Sequence, residues 1–355
     1  STNGQVSGRR NIVINGAMQV AQRSASVTGL GAASGYFTLD RFTMVEGDAS
    51  AGRFTMSQSA VTDLDGFSNA LKIDCTTADT SIAAGEVLVI RQHIEGLNCQ
   101  QLKASSTSTN AFTLSFYAKS NASRVIASEL RLSSGTNRQA VKVHTIGTSW
   151  ARYTFTVAAA SSTEIDNDNT TGLQVNFFIH GGSTYTGGTV SATLESDTPA
   201  NRAAGIGSIF ASTDNTLEIT GVQLEVGSVA TPFEHRSFGE ELALCQRYCH
   251  RINSNGSDDI PIGTGFYNAS TTCRVMVTVP TTMRAASTFT TLDSGLDILR
   301  DSSSDTSITL DAAIDQSRHG CILNFTGAAS TTAGEGVILR LGTEAANFIE
   351  FDAEL

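Results

Sequence analysis

Glu164, Asp166 and Asp168, with Asn169 beside them in the run EIDNDN, place side-chain oxygens at alternate positions of a short loop. Ca²⁺ takes six to eight oxygens, so this loop is the candidate calcium site, and calcium is the one cofactor the residues suggest. The run lacks the Gly and the distal Glu of a full EF-hand loop, and a solvated acidic loop is the competing reading. Asp63 with Asp65 is a weaker version of the same pattern. Sugar recognition asks for different chemistry: aromatic faces against sugar rings, and polar groups that fix the hydroxyls. Tyr117, on the polar face of an alternating segment, and Tyr185, in the Gly-rich GGSTYTGGT, are the candidate glycan-binding residues. Trp150 is the only tryptophan. It precedes the alternating Tyr153, Phe155 and Val157, which reads as a core or edge position rather than a sugar platform.

No catalytic residue emerges. A hydrolase needs a nucleophile beside a base, or two opposed carboxylates. The acid pairs Glu240–Glu241 and Asp258–Asp259 are sequence neighbours on turns or helix starts, where solvation and capping account for them. There is no GxSxG, HExxH or P-loop pattern, and the six His have no paired spacing. The expected protein is not an enzyme. The six Cys, at 75, 99, 245, 249, 273 and 321, form neither a CxxC pair nor a zinc spacing and read as small buried thiols.

The elements that must position these residues are β-strands. With 32 Gly, 4 Pro and abundant Ser and Thr, the chain is punctuated every few residues, whereas a helical protein would show long 3.6-residue periods. FTLSFYA (112–118) puts Phe112, Leu114 and Phe116 on one face and Thr113, Ser115 and Tyr117 on the other. Residues 152–157 and 173–179 alternate in the same way. EVLVIRQHI (86–94) starts as a continuous apolar run, as in a strand covered on both faces. Eight or more such strands predict an all-β, two-sheet sandwich. The polar segments 62–69, 162–172 and 181–189 are its loops, where binding would reside.

Residues 219–249 mark a junction. Val222, Leu224 and Val226 share one strand face, while Leu217 and Ile219 have the opposite parity; a bulge at Gly221 restores a single buried face. Ser237 reads as an N-cap with Glu240 as its capping-box partner, and Leu242, Cys245, Tyr248 or Cys249, and Ile252 recur at helical spacing. The expected organisation is a jelly roll over 1–235, a linking amphipathic helix over 236–252, and a smaller β domain over 253–355 that serves oligomerisation. The formal net charge of −11 argues against nucleic-acid partners. No apolar run approaches the roughly 20 residues of a membrane span, and the start has no hydrophobic signal core, so neither membrane insertion nor secretion is expected.

NIVINGAMQVAQR (11–23), LDRF (39–42), FTLSFYAKS (112–120), GTSWARYTFTV (147–157) and VQLEVGSVATPFEHRSFGEELALCQRYC (222–249) resemble bacteriophage virion proteins, often tail fibres, with a carbohydrate-binding-module-like jelly roll. VPTTMRAASTFT (279–290) and the ending FDAEL resemble the smaller C-terminal β region of those proteins. Val20 and Ala21 stand where an aromatic is usual, and Ser287 where a second Pro is expected. The resemblance implies a homotrimer in contact with other virion proteins, made in the host cytoplasm and located on the tail or capsid surface. Its implied role is a tail fibre or spike attaching the particle to host-surface glycan, with weak single contacts multiplied by copy number. The alternatives are a capsid-surface decoration or head fibre and, after that, a glycan-degrading enzyme. The chain reads as starting just after a removed initiator Met, without coiled-coil heptads, which favours a compact spike, short distal fibre or decoration over a long fibre.

Overall fold

The computed structural model describes residues 9–48, 50–161, 164–292, 295–300, 303–305, 308–327 and 332–355. The first eight residues of the chain and the first two of the acidic loop lie outside them. The chain divides into two compact units, Ser1–Glu241 with Leu355, and Leu242–Glu354. Among the described residues no helix is long and apolar enough to cross a membrane.

The first unit is a jelly-roll sandwich of two antiparallel six-stranded sheets. The first sheet runs, in spatial order, Ser26–Leu30, Arg53–Ala60, Asn69–Thr77, Thr216–Val226, Phe112–Ser120, Ala151–Val157. The second runs Glu195–Ser196, Arg138–Ile146, Arg124–Leu132, Thr171–Gly181, Val87–Glu95, Thr43–Gly47. The chain crosses between sheets repeatedly, so each strand's alternation delivers one set of side chains to a shared core. Phe112, Leu114 and Phe116 enter it from one sheet, and Leu173, Val175 and Phe177 from the other. Phe116 and Phe177 meet edge to face with centroids 4.9 Å apart. Val87–Glu95 is covered on both faces over its first half, as its continuous apolar run requires. Leu88 and Ile90 are in the core, and Val87 and Val89 are in a second cluster on the outer side.

The bulge read from parity is present. Pairing between Thr216–Val226 and Phe112–Ser120 shifts register between Thr220 and Gln223, and Gly221 lies there with φ +58°. Leu217, Ile219, Val222 and Leu224 all consequently reach the core.

Several of the segments singled out in the sequence are fasteners in this unit. Asn15, at φ +60°, donates from Nδ2 to the carbonyls of Val20 (2.8 Å) and Asp40 (3.0 Å) and accepts from the Val20 N–H. Asn11 donates to the Val222 carbonyl at 3.1 Å and accepts from the Leu224 N–H at 3.1 Å, while Arg236 donates to the Val13 carbonyl at 3.0 Å. Buried backbone polar groups need such partners, which explains Asn and Arg at these positions without any ligand.

The helix at the junction is shorter than its periodicity predicts. It spans Phe238–Gln246, opened by the expected Ser237–Glu240 capping box at 3.3 and 3.4 Å. Cys249–Asn253 is a strand instead, with Cys249 opposite Asp352 and Ile252 opposite Ile349. A partner strand a hundred residues away overrides the local helical spacing.

In the second unit a seven-stranded antiparallel sheet runs Ser303–Asp305, Leu296–Arg300, Gly336–Leu341, Ile260–Tyr267, Thr272–Thr278, Gly320–Gly327, Ile308–Ser317. A three-stranded sheet holds Cys249–Asn253, Phe348–Asp352 and Thr288–Thr291. The alternating sets Cys273/Val275/Val277, Cys321/Leu323/Phe325, Val337/Leu339/Leu341 and Ile349/Phe351/Ala353 form its core. All six cysteines of the chain are buried.

Candidate functional site

The outer face of the first sheet carries an aromatic cleft of about 650 Å³, lined by Asp63, Leu64, Asp65, Tyr117, Thr148, Ser149 and Trp150. Its floor depends on the bulge. A Cβ at Gly221 would lie 2.8 Å from both Phe67 Cζ and Tyr117 Cδ2, so the missing side chain is what lets these rings settle on the strand. Phe67 is buried, and its ring contacts those of Tyr117 (5.3 Å), Phe233 (5.1 Å) and His235 (5.3 Å). Tyr117, half-buried, is thereby backed by rings on its inner side, and Arg152 approaches its ring to 5.9 Å.

Polar groups hold the rim. The Trp150 indole Nε1 donates to Asp63 Oδ1 at 2.8 Å, and Lys119 Nζ donates to both Asp63 oxygens at 3.2 and 3.0 Å. Lys119 Nζ also lies 4.9 Å from the centre of the Trp150 ring and 3.8 Å from Glu218. The hydrogen bonds from Lys119, and then from Trp150, hold the Asp63 carboxyl below the usual carboxylate range. Asp65 is exposed at the same rim. The cleft thus offers half-exposed aromatic rings flanked by the fixed carboxylate of Asp63, the exposed Asp65, hydroxyls and one ammonium. That arrangement suits an amphipathic ligand, with ring faces for apolar surface and charged rims for hydroxyl groups.

The structure separates the two tyrosines singled out from sequence. Tyr117 is in the cleft. Tyr185 sits on the short helix Ser183–Thr186 and packs half-buried against Val87, Val89 and Phe178, on the outer side of the opposite sheet. Trp150, read from sequence as a core or edge residue, packs at the edge of the Phe67 cluster yet also lines the cleft. Local alternation could not show this, because Asp63, Lys119 and Trp150 meet only through tertiary pairing. The acidic loop does not converge. Among the described residues, no three His, Cys, Asp or Glu side chains come together to hold a metal. Asp168 Oδ1 turns back to its own loop, accepting from Thr170 N at 3.0 Å and Thr170 Oγ1 at 2.8 Å. Glu164 lies against Gly135, and Asp166 is exposed, its carbonyl accepting from Gln100 at 2.9 Å. The Asp168 carboxylate is thus taken by the loop's own turn, and Glu164, Asp166 and Asp168 do not gather as a group that could hold a metal.

One constellation invisible in the sequence has the connectivity of a nucleophile, base and acid. His180 Nδ1 is 2.8 Å from Ser208 Oγ, and His180 Nε2 is 3.1 Å from Glu86 Oε2. Ser208 Oγ is already engaged as a cap, accepting from Phe210 N at 3.0 Å, and His180 is fully buried. Burial, opposed by Glu86, keeps His180 below the usual imidazole range. These contacts satisfy buried polar groups and tie the Ile209–Ala211 turn to the second sheet.

No protein-family model matches this chain, and no curated protein matches it. Some solved structures resemble it. The enzymatically active domain of bacteriophage CBA120 tailspike protein 4 shares 14% identity over 61% of this chain and 21% of its own chain, with a TM-score of 0.31. The family 11 carbohydrate-binding module of the cellulosomal cellulase Lic26A-Cel5E of Clostridium thermocellum shares 13% over 60% of this chain and 100% of its own, with a TM-score of 0.29. TmCBM61, solved with beta-1,4-galactotriose, shares 10% over 62% and 100%, also at 0.29. At such scores no function is carried from those proteins to this one.

Proposed function

We propose that this protein is a bacteriophage tail fibre or spike that attaches the particle to host-surface glycan, and that the cleft around Tyr117 and Trp150 is where it binds. The observation that carries this reading is the cleft itself. Tyr117 and Trp150 stand half-exposed beside Asp63, Asp65 and Lys119, the pairing of ring faces and polar groups that sugars require. The virion setting is supported by the sequence segments that resemble phage fibre proteins. Binding without hydrolysis is the expected activity, because a glycosidase's general acid needs a raised carboxyl pKa and Asp63 is held in the opposite direction.

A homotrimer formed through residues 253–355 is part of the same proposal. It is supported by a row of five apolar residues and one threonine across the seven-stranded sheet, on the face away from that unit's core. Leu299, Ile338, Thr264, Met276, Ile322 and Ile314 stand side by side in register, with Met276 60% exposed. Met276→Glu should shift the sedimentation of the intact chain from trimer to monomer.

Because Trp150 is the only tryptophan, its emission reports on this cleft directly. Titrating the intact protein with oligosaccharides from host-surface polymers should change that emission saturably, and Tyr117→Ala should weaken the response at least tenfold. A broad glycan panel that leaves the emission unchanged refutes the site. Density over the capsid lattice rather than the tail periphery, in a reconstruction of the particle, would replace attachment with decoration.

A further inference from the structure

The outer face of the second sheet, opposite the cleft, holds an unusual charge arrangement. Strand pairing sets Arg91, Asn176 and Glu129 side by side in one row, and His93, Gln174, Arg131 and Gln139 in the next. Glu129 is fully buried and spoken for. Arg202 grips it with two hydrogen bonds of 2.7 Å, and Asn176 Nδ2 donates to it at 2.5 Å. Asp197 is likewise taken by Arg131, at 2.9 and 2.5 Å.

Arg91 is left over. Its Nε donates to the Asn176 side-chain oxygen at 2.6 Å, but among the described residues no carboxylate pairs with it, and nothing accepts from its two terminal nitrogens. Arg202 and Arg131 thus each hold a carboxylate on this half-buried face, and Arg91 holds none. Arg91 is half-buried, and an oxyanion from outside would supply the charged partner that the fold does not. The charge balance registers in both rows. Arg91 is lowered to about 10 by burial first and by the neighbouring Arg202 next, and still carries its charge at neutral pH. His93 is pushed down to about 3 by burial, then by Arg91, Arg41 and Arg131, and is neutral there.

We propose that Arg91 is an anion-binding site, whose open end-on fork of Nη1 and Nη2 receives an oxyanion presented by a ligand from outside the chain. With Nε committed to Asn176, the fork is held in one orientation, the geometry that bidentate carboxylate or phosphate recognition uses. The net charge of −11 does not oppose this at working ionic strength, since exposed charges more than ~8–10 Å away are largely screened. The site is on the opposite face from Tyr117 and Trp150 and stands or falls independently of the cleft.

The test is thermal unfolding of the intact protein, followed by Trp150 emission, in increasing sodium glucuronate or sodium phosphate, with sodium chloride at equal ionic strength as reference. Glucuronate represents an acidic sugar and phosphate a phosphorylated polymer; whichever acts identifies the source of the oxyanion. The expected result is a saturable rise of about 3–5 °C above the chloride reference at tenfold excess over half-saturation. Arg91→Gln should weaken it more than tenfold. Arg91→Lys keeps the charge but not the fork, serves if the glutamine variant does not fold, and should weaken it at least threefold. No rise beyond chloride, or an unchanged response in both variants, overturns the proposal.

Discussion

Replacing Gly221 with alanine tests the link from strand parity to the cleft. Two costs arise. The backbone at φ +58° is left-handed, which costs a residue with a Cβ ~1–2 kcal/mol. The added Cβ would also lie 2.8 Å from Phe67 Cζ and Tyr117 Cδ2, and overpacking of this kind costs ~1–3 kcal/mol. The sum is ~2–4 kcal/mol, allowing for some relief as the half-exposed Tyr117 ring tilts away. Gly29→Ala separates the two costs, since Gly29 has φ +76° with nothing within 4 Å of its Cβ position, and should lose only ~1–2 kcal/mol. The assay is urea unfolding followed by Trp150 emission, which reports on the first unit alone because the chain has no other tryptophan. Gly221→Ala should also displace Tyr117 and weaken glycan binding more than its stability loss explains. If Gly221→Ala and Gly29→Ala cost the same, the rings do not rest on that backbone and the account of the cleft floor is wrong.

Three further outcomes are expected. Asp63 is more acidic in the fold than its ordinary 3.8, so its contribution is present above that value and disappears as pH falls below it; Trp150 emission should show a transition below pH 3.8 that Asp63→Asn abolishes, and a midpoint above it would contradict the Lys119 and Trp150 hydrogen bonds. Phe177→Ala, at the fully buried contact with Phe116 between the two sheets, should cost ~3–5 kcal/mol in the same unfolding assay, and a loss under ~1 kcal/mol would mean the core closes without it. Glu129→Gln leaves the half-buried Arg202 without its carboxylate and should cost ~3–5 kcal/mol; a neutral result would show that Asp197 takes over the pairing.

The all-β sandwich and its inward-facing residues were legible in the chain because a strand's two-residue period is a local property. Phe112, Leu114, Phe116, Leu173, Val175 and Phe177 lie in the core as their alternation predicts. The Gly221 bulge was legible for the same reason, since one inserted residue is what brings both parities of a strand to the same buried face. The helix end was not. Leu242, Cys245 and Ile252 keep a helical spacing, but Cys249–Asn253 finds a strand partner in Phe348–Asp352, and that hydrogen-bonding opportunity is set by the fold rather than by neighbours in sequence.

The candidate sites divide along the same line. Tyr117 was readable as outward-facing because its strand alternates, yet its value as a ring surface comes from Phe67, Gly221 and Trp150, which are remote in the chain. Tyr185 had an equally promising local setting and is packed down on the opposite sheet. The acidic loop had the oxygens of a calcium site, and the fold does not gather its carboxylates into one. Sequence by itself determined which side of each strand a residue faces, because the pleat alternates whatever the partners are. The tertiary structure alone decided which outward-facing residues meet, as with Asp63, Lys119 and Trp150, and which charge is left without a carboxylate, as with Arg91, because both depend on strand register and on loops arriving from distant parts of the chain.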